Sequence, residues 1–320
     1  MRCVSIDKMG NRKPTMVKTV QRRKVRRILS NIDPVGTALR WSSTVNRRTY
    51  RVPTPNSLWH MDTHLKLIRW GFAIHGCIDG HSRLIVYLKC ATSMTASCVI
   101  PFFASAVVKY GLPSRVRSDF GYENLFVAML MNVIRGLDRA SHIAGRSVHN
   151  QRIERLWVDV FKEVVDFFHK EFYELEQLDL LHLGDSKCMF TLQKVYLKFI
   201  NARLQFFTKA CNCHKIRTER NKTPRQIWIS GMLNNIHSTH TGSNEIFNEQ
   251  EDLYSRIVNA FGVENGEVPI LSQNEEASNL TIEINLTAHQ ITDITEILDD
   301  NSLSYRSKYI QIKTYLDDNV

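Results

Sequence analysis

The stretch NQRIERLWVDVFKEVVDFF, residues 150–168, decides the fold predicted for this chain. At 100° per residue, its apolar side chains fall on one side of a helix. Such a stripe has to pack against another element, and we expect that element to be a sheet. The predicted stripe consists of Glu154, Trp157, Val158, Phe161, Val165 and Phe168.

Glu154 stands at the N-terminal end of this stripe. A carboxylate is costly to bury unless it is paired or binds a metal. Glu154 therefore either reaches solvent at the rim of the helix or points at a cation beside the sheet. The helix by itself favours the rim, whereas the rest of the chain favours the cation.

The residues before this helix alternate between strand and helix patterns. The predicted strands are Ser57–Ile68, Phe72–Ile78, Arg83–Lys89, Ser114–Asp119 and Ala140–Ala144. The predicted helices are Thr95–Tyr110 and Glu123–Arg135, and Asp79 is expected to form a β-turn. This order predicts an α/β fold in which a mixed five-stranded sheet is flanked by helices.

The net charge of +10 is unevenly distributed along the chain. Residues 1–55 hold 14 Lys and Arg against 2 Asp and Glu, whereas residues 241–320 hold 4 against 15. This asymmetry predicts a basic arm that faces a polyanion and an acidic tail.

The basic arm contains an amphipathic helix predicted at Met16–Leu29. One interpretation is a solvated helix with a basic linker or a nuclear-import signal, and the other is contact with nucleic-acid phosphates. Both can hold together. The arm residues expected to contact nucleic acid are Arg22, Arg23, Lys24, Arg26 and Arg27.

The seven cysteines form no C-x-x-C pair, which is typical of reduced thiols in the nucleus or cytosol. The N-terminus has no apolar core of a secretory signal, and no run is long enough to cross a bilayer. We expect a nuclear protein, with the cytoplasm as the alternative. Neither a membrane nor a small-molecule cofactor is an expected partner.

Composition predicts four regions along the chain. They are a basic arm with a partial helix-turn-helix-like region at 1–55, a core at 56–178, a helical extension at 179–235 and a partly disordered acidic tail at 236–320. Within the tail, Thr281–Thr287 has the pattern of an edge strand.

Three acids are expected to meet in the core. The predicted topology makes the first and fourth strands neighbours, which brings together Asp62, Asp119 and Glu154. Three carboxylates at one place repel each other, and at least one is pushed toward protonation. Two divalent ions, Mg²⁺ or Mn²⁺, relieve this repulsion and suit oxygen ligands.

The motifs around these acids resemble a known family. WHMD at 59–62, SDFGYEN at 118–124 and NQRIER at 150–155 look like the integrase core of retroviral integrases and DDE transposases, which have a ribonuclease H-like fold. The likeness is strongest to eukaryotic integrase core domain proteins and covers about residues 50–230. The spacing between Asp119 and Glu154 is 34 residues, one fewer than usual.

The resemblance implies that Asp62, Asp119 and Glu154 bind two divalent metals and cut or join DNA strands. We expect a homo-oligomer when the protein is active. The residues expected to position the acids are His60, Asn124 and Asn150, and those expected to contact DNA phosphates near the site are Arg117, Arg146, Arg152 and Arg155.

Some residues depart from the family pattern. Phe120 and Tyr122 flank the second acid, where an aromatic side chain either narrows the metal site or stacks on a base.

Three functions are therefore considered: a metal-dependent integrase or transposase, a non-catalytic DNA-binding protein derived from a transposable element, and a ribonuclease H-like nuclease.

Overall fold

The computed structural model describes residues 5–6, 12–13, 21–36, 50–136, 139–145, 150–235 and 280–319. The chain divides into two compact units, Met1–Tyr50 and Arg51–Val320. The second unit contains both the predicted core and the described part of the acidic tail.

The first unit contains a short hairpin and one basic helix among its described residues. The hairpin pairs strand β1 (Ser5–Ile6) with strand β2 (Arg12–Lys13). Helix α1 (Arg22–Ile32) follows and ends at Asp33, whose carboxylate accepts a hydrogen bond from the Gly36 amide at 2.7 Å.

Helix α1 begins later than the helix predicted at Met16–Leu29, and residues 16–20 lie outside the described ranges. Lys24 and Arg27 are exposed to solvent. The side chains of Arg22, Arg23 and Arg26 lie outside what the structure describes, so their contact with nucleic acid stays a prediction.

In the second unit, five of the described strands form a mixed sheet in the order β5-β4-β3-β6-β7. The strands are β3 (Trp59–His64), β4 (Ala73–Asp79), β5 (Ile85–Ala91), β6 (Val116–Ser118) and β7 (His142–Ala144). The first three pair antiparallel, whereas β6 pairs parallel with both β3 and β7. The predicted mixed five-stranded sheet is confirmed, including the pairing of its first and fourth strands.

The first strand is shorter than predicted. It ends at His64 instead of continuing to Ile68, because Ile68–Trp70 forms a 3₁₀ turn. Gly71 then closes this turn with φ +74°, a left-handed conformation that glycine adopts without steric cost.

Two helices cover one face of the sheet. Helix α2 (Ala96–Tyr110) is capped by the Thr95 side chain, which accepts a hydrogen bond from the Cys98 amide, and helix α3 (Leu125–Arg135) packs beside it. Trp59 and Met61 are buried in the apolar cluster between these helices and the sheet.

The other face of the sheet carries a nearly continuous helical layer. It consists of helix α4 (Gln151–Val160), the π-helical segment Phe161–Val165, helix α5 (Asp166–Gln177) and helix α6 (Ser186–Cys213). Helix α7 (Pro224–Leu233) follows a basic connector and starts with a Thr223 capping box. The predicted helical extension is therefore present.

The apolar stripe predicted for the α4 region is partly wrong. Val158 is 44% exposed, whereas Ile153 and Val160 are buried. The buried face is thus rotated from the predicted one. The π-helical segment also turns less per residue than an α-helix, so that both Val164 and Val165 face the core.

The described end of the acidic tail is an integral part of the core. Helix α8 (Ala288–Asp299) and helix α9 (Tyr305–Asn319) contribute to the apolar cluster beneath α6. The Arg306 guanidinium bonds the carboxylates of Glu171 and Glu174 at 2.9 Å. Residues 280–319 of the tail are therefore ordered, and the partial disorder predicted from residue 236 onward stays a prediction for residues 236–279, which lie outside the described ranges.

The edge strand predicted at Thr281–Thr287 is also wrong, since this segment pairs with no strand in the described part of the chain. The side-chain carbonyl of Gln193 accepts the Ile282 amide at 3.0 Å and takes the place of a ladder hydrogen bond. Among the described helices, none combines the length and apolar character needed to cross a membrane.

We predict that Tyr309→Ala destabilises the protein by about 3–5 kcal/mol, because it removes a large buried side chain. Tyr309 is 0% exposed and its hydroxyl donates to the Leu180 carbonyl at 3.0 Å. The matched control is Ile310→Ala, since the neighbouring Ile310 is 37% exposed. Urea unfolding measures both. Equal small effects would contradict the packing of α9 into the core.

Candidate active site

Asp62 lies in the second half of strand β3, on the face that is covered by helix α4. Side chains alternate along a strand, so His60, Asp62 and His64 share this face while Trp59 and Met61 point to the other. Gly76 of strand β4 is the residue directly opposite Asp62.

Trp157 of helix α4 lies over this cross-strand pair. Its indole Nε1–H donates a 2.8 Å hydrogen bond to Oδ2 of Asp62. A Cβ atom at Gly76 would lie 2.6 Å from Cη2 of Trp157, which is closer than real side chains permit. The absence of a side chain at Gly76 therefore allows the indole to reach the carboxylate.

Asn150 joins the start of helix α4 to strand β3. Its Nδ2 donates to the Met61 carbonyl at 2.9 Å, and its Oδ1 accepts a hydrogen bond from Nδ1 of the buried His60. The Asn150 backbone carbonyl accepts the amide of Glu154 at 3.2 Å. One side chain thus fixes the helix that carries Glu154 against the strand that carries Asp62.

Asp119 follows directly after strand β6. Its Oδ1 accepts hydrogen bonds from the Gly121 amide at 3.3 Å and from Nδ2 of the buried Asn124 at 3.1 Å. His60 and Asn150 meet at the strand–helix junction, while Asn124 holds Asp119. The three residues predicted to position the acids therefore all contact the elements that carry them.

The charges of the three acids act on one another. The pKa of Asp62 is raised to about 6, chiefly by burial and also by the nearby carboxylates of Asp119 and Glu154, while the Trp157 hydrogen bond acts to lower it. Glu154 itself is exposed, as the rim interpretation predicted. The exposed carboxylate of Glu154 is nevertheless near enough to Asp62 for its charge to raise the pKa of Asp62.

Glu123 is a fourth carboxylate at this place, and no role was predicted for it from the sequence. Its pKa is raised by burial and by Asp119, and it accepts a hydrogen bond from the Thr63 hydroxyl. Gly121 makes room for it, because a Cβ there would lie 2.2 Å from Oε2 of Glu123. The sequence feature that could have identified Glu123 is the presence of an acid four residues after Asp119, in the same tight loop.

The four carboxylates suit a divalent cation by their chemistry, since Mg²⁺ and Mn²⁺ prefer oxygen ligands. The raised pKa of Asp62 means that burial and the neighbouring carboxylates disfavour its ionised form, which a bound cation would stabilise. Within the described ranges, however, no three His, Cys, Asp or Glu side chains stand close enough together to form a finished metal site.

The predicted DNA-contacting arginines divide into two groups. Arg117, opposite His60 on strand β6, and Arg152, in the first turn of α4, both act on His60. The pKa of His60 is lowered to about 4, chiefly by burial and also by both guanidinium charges, while the Asn150 hydrogen bond acts to raise it. Arg155 instead pairs with Asp159 on the outer side of α4 at 3.1 Å, and Arg146 lies outside the described residues.

The two aromatic side chains beside Asp119 point into solvent. Phe120 is 74% exposed and Tyr122 is 84% exposed. Neither is packed over the carboxylates, so the idea that they narrow the metal site is wrong in this conformation. Stacking on a base stays a prediction.

The family model described as an integrase core domain matches residues 49–242 of the chain. The protein belongs to this family. The match includes all five strands of the mixed sheet and the acids Asp62, Asp119 and Glu154. The integrase core family is one of polynucleotidyl transferases. A comparison with curated proteins gave no match.

Similar solved structures include the HTLV-2 integrase catalytic core domain in complex with magnesium. Its trimeric form is 19% identical with a TM-score of 0.37, and the match covers 55% of this chain and 99% of that one. Its dimeric form is 18% identical with a TM-score of 0.37, and the match covers 56% of this chain and 99% of that one. A simian T-cell lymphotropic virus intasome in complex with PP2A regulatory subunit B56 gamma is 16% identical with a TM-score of 0.39, covering 56% of each chain.

We predict that Asp62→Asn stabilises the protein at pH 7, by roughly 1–3 kcal/mol. The raised pKa means that Asp62 contributes stability below pH 3.8, which is lost as the pH rises through about 6. The amide removes this pH dependence and still accepts from Trp157. Melting temperatures from pH 4 to 8 should show a gain that shrinks toward pH 4.

The control for this measurement is Asp159→Asn, which neutralises the exposed partner of Arg155 on the same helix. Its melting temperature should fall slightly or stay unchanged. A gain as large as that of Asp62→Asn would indicate a general charge effect instead of a property of the pocket.

We predict that Gly76→Ala costs about 1–3 kcal/mol of stability, since the added methyl group collides with Trp157 and lies 3.2 Å from Leu88. Gly184→Ala is the matched control, because nothing lies within 4 Å of a Cβ at that position. Chemical denaturation compares the two variants. If Gly76→Ala were as stable as the control, the close approach of the indole to strand β4 would be wrong.

Proposed function

We propose that this integrase core protein cuts and joins DNA phosphodiesters by a two-metal mechanism. The observation that carries the proposal is the action of the Asp119 and Glu154 charges on the partly buried Asp62. Keeping repelling carboxylates together is unfavourable for stability, so a functional use of their negative charge is the physical explanation.

Asp62, Asp119 and Glu154 are the residues that would hold two divalent ions, Mg²⁺ or Mn²⁺. When bound, such ions supply Lewis-acid chemistry for displacement at phosphorus. Asp62 comes from a rigid central strand, Asp119 from a loop fixed by Asn124, and Glu154 from a helix fixed by Asn150.

The protein's own residues also orient the reacting groups. Trp157 fixes the orientation of the Asp62 carboxylate by donating a hydrogen bond to Oδ2. His60 stays neutral because its pKa is lowered to about 4, so it positions Asn150 without adding charge. Arg117 and Arg152 supply positive charge beside the acids and favour the binding of a polyanion.

DNA is therefore the proposed substrate and the nucleus the proposed compartment. We further propose a homo-oligomer as the active form, since joining two DNA ends needs two sites in one assembly. The basic residues of helix α1 are proposed to add phosphate contacts that do not depend on DNA sequence.

A second candidate function is a DNA-binding protein without catalysis. The observation in its favour is that the described His, Cys, Asp and Glu side chains form no finished metal site. Such a protein would keep the fold and the basic residues while its acids no longer bind a cation.

We predict that the purified protein processes labelled DNA ends in the presence of Mn²⁺, with products resolved on a denaturing gel. Asp119→Asn and Glu154→Gln should reduce product to the level of the protein-free reaction while DNA binding is retained. Asp159→Asn, on the outer side of α4, should remain active. Strong DNA binding with no product by the wild type would instead favour the non-catalytic candidate.

Cation binding has its own measurement, which does not require activity. A cation present at a hundred times its Kd stabilises the folded state by about 2.7 kcal/mol. Mg²⁺ or Mn²⁺ should therefore raise the melting temperature of the wild type at pH 7, and should do so much less for Asp62→Asn. An equal rise in both proteins would contradict a metal site at Asp62.

A further inference from the structure

Arg83 lies in the hairpin between strands β4 and β5, in a turn that is held firmly. The Asp79 carbonyl accepts the Arg83 amide at 2.9 Å. The buried Asp79 carboxylate accepts the amide and hydroxyl of Ser82 at 2.7 and 2.6 Å, as the predicted β-turn requires. The backbone position of Arg83 is thus fixed by its neighbours.

This position is conformationally unsuited to arginine. Its φ is +63°, in the left-handed region where a Cβ is disfavoured and where glycine, asparagine or aspartate is the usual residue. The turn would form more easily with any of these three. A long cationic side chain at a strained position suggests that the guanidinium has a function.

The guanidinium of Arg83 is part of a row of like charges. The positive charge of Arg152 repels that of Arg83, and the charges of Arg152 and Arg117 both disfavour protonation of His60. Burial and then repulsion by Arg152 lower the pKa of Arg83, against the attraction of Glu219, whose carboxylate is 3.1 Å away. Three positive charges thus stand along the end of the sheet where β3 begins.

Two further features favour an anion at this row. Nε of Arg83 is buried and donates no hydrogen bond within the described part of the chain. Arg152 lies in the first turn of helix α4, where the positive end of the helix dipole adds to the positive potential that attracts an anion.

The row is adjacent to the proposed active site and opens to solvent. His60, between Arg117 and Arg152, is two residues from Asp62 on the same face of β3, a separation of about 7 Å. Glu219 links Arg83 to the connector before α7, where the side chains of Lys215, Arg217, Arg220 and Lys222 are exposed. Positive charge therefore extends from the acids to the protein surface.

We propose that Arg83, Arg117 and Arg152 bind a backbone phosphate of the DNA strand that enters the active site, with Arg83 as the residue that orients it. This inference rests on the proposed function, because it assigns a subsite for the same substrate. It explains why an arginine occupies the strained turn position, since planar guanidinium groups bind phosphate oxygens in pairs.

The experiment measures binding of a fluorescent DNA duplex by anisotropy over a range of salt concentrations. Arg83→Gln should weaken binding about tenfold and reduce the slope of log K against log salt by about 1. Arg83→Lys should keep the slope and lose affinity. Arg69→Gln is the matched control, because Arg69 pairs with Glu176 at the opposite end of the β3–β4 hairpin.

A second set of measurements localises the contact. Neutral methylphosphonate linkages are placed one at a time along the strand. At the contacted phosphate, the linkage and Arg83→Gln should weaken binding by less than the product of their separate effects. Multiplicative effects at every position would overturn the inference even if both changes weaken binding.

The stability of Arg83→Gly separates binding from a structural role. Relief of the left-handed strain should leave its melting temperature equal to or above that of the wild type, while its DNA affinity falls as in Arg83→Gln. A lower melting temperature with unchanged affinity would mean that Arg83 is structural and would overturn the inference. If the wild type processes DNA ends and Arg83→Gln binds DNA as tightly as the wild type does, the inference about Arg83 is overturned and the proposed function stands. If the wild type binds no DNA, both are overturned.

Discussion

The hydrogen bond from Trp157 to Asp62 is the interaction on which the rest of the site depends. It holds a partly buried carboxylate in the middle of the sheet, under a helix, where an ionised group is costly. The contact requires Gly76 to lack a side chain and Asn150 to fix the start of helix α4 against strand β3. The pairing of strand β3 with β4, the position of helix α4 and the ionisation of Asp62 therefore depend on one another.

Around this contact, the protein separates its charges over a short distance. Acids gather where strands β3 and β6 meet the start of α4, and arginines gather one step back along β3, around His60. Negative and positive charge that stand side by side suit a cation and a polyanion that bind together. This arrangement is the physical basis for the nucleic acid substrate that we propose.

The helical layer under the site is stabilised by residues near the C-terminal end of the chain. Tyr305 stacks on Phe199 of helix α6 at 3.7 Å, and Arg306 binds the carboxylates of α5. Helices α8 and α9 bury apolar side chains while their acids face outward, which explains why an acidic composition is compatible with packing into the core. Helix α5 continues from α4, so the C-terminal helices support the element that carries Glu154.

The sequence by itself determined the mixed sheet, the pairing of its first and fourth strands, and the acids Asp62, Asp119 and Glu154. These depend on local periodicity and on motifs, which a sequence displays directly. Only the tertiary structure decided that Val158 is exposed, that Glu123 joins the acids and that residues 280–319 complete the core. Only the tertiary structure, too, places the side chains of Arg83 and Arg152 near enough for their charges to interact. The reason is physical: burial and charge interactions are set by neighbours distant in sequence, and a local pattern carries no information about them.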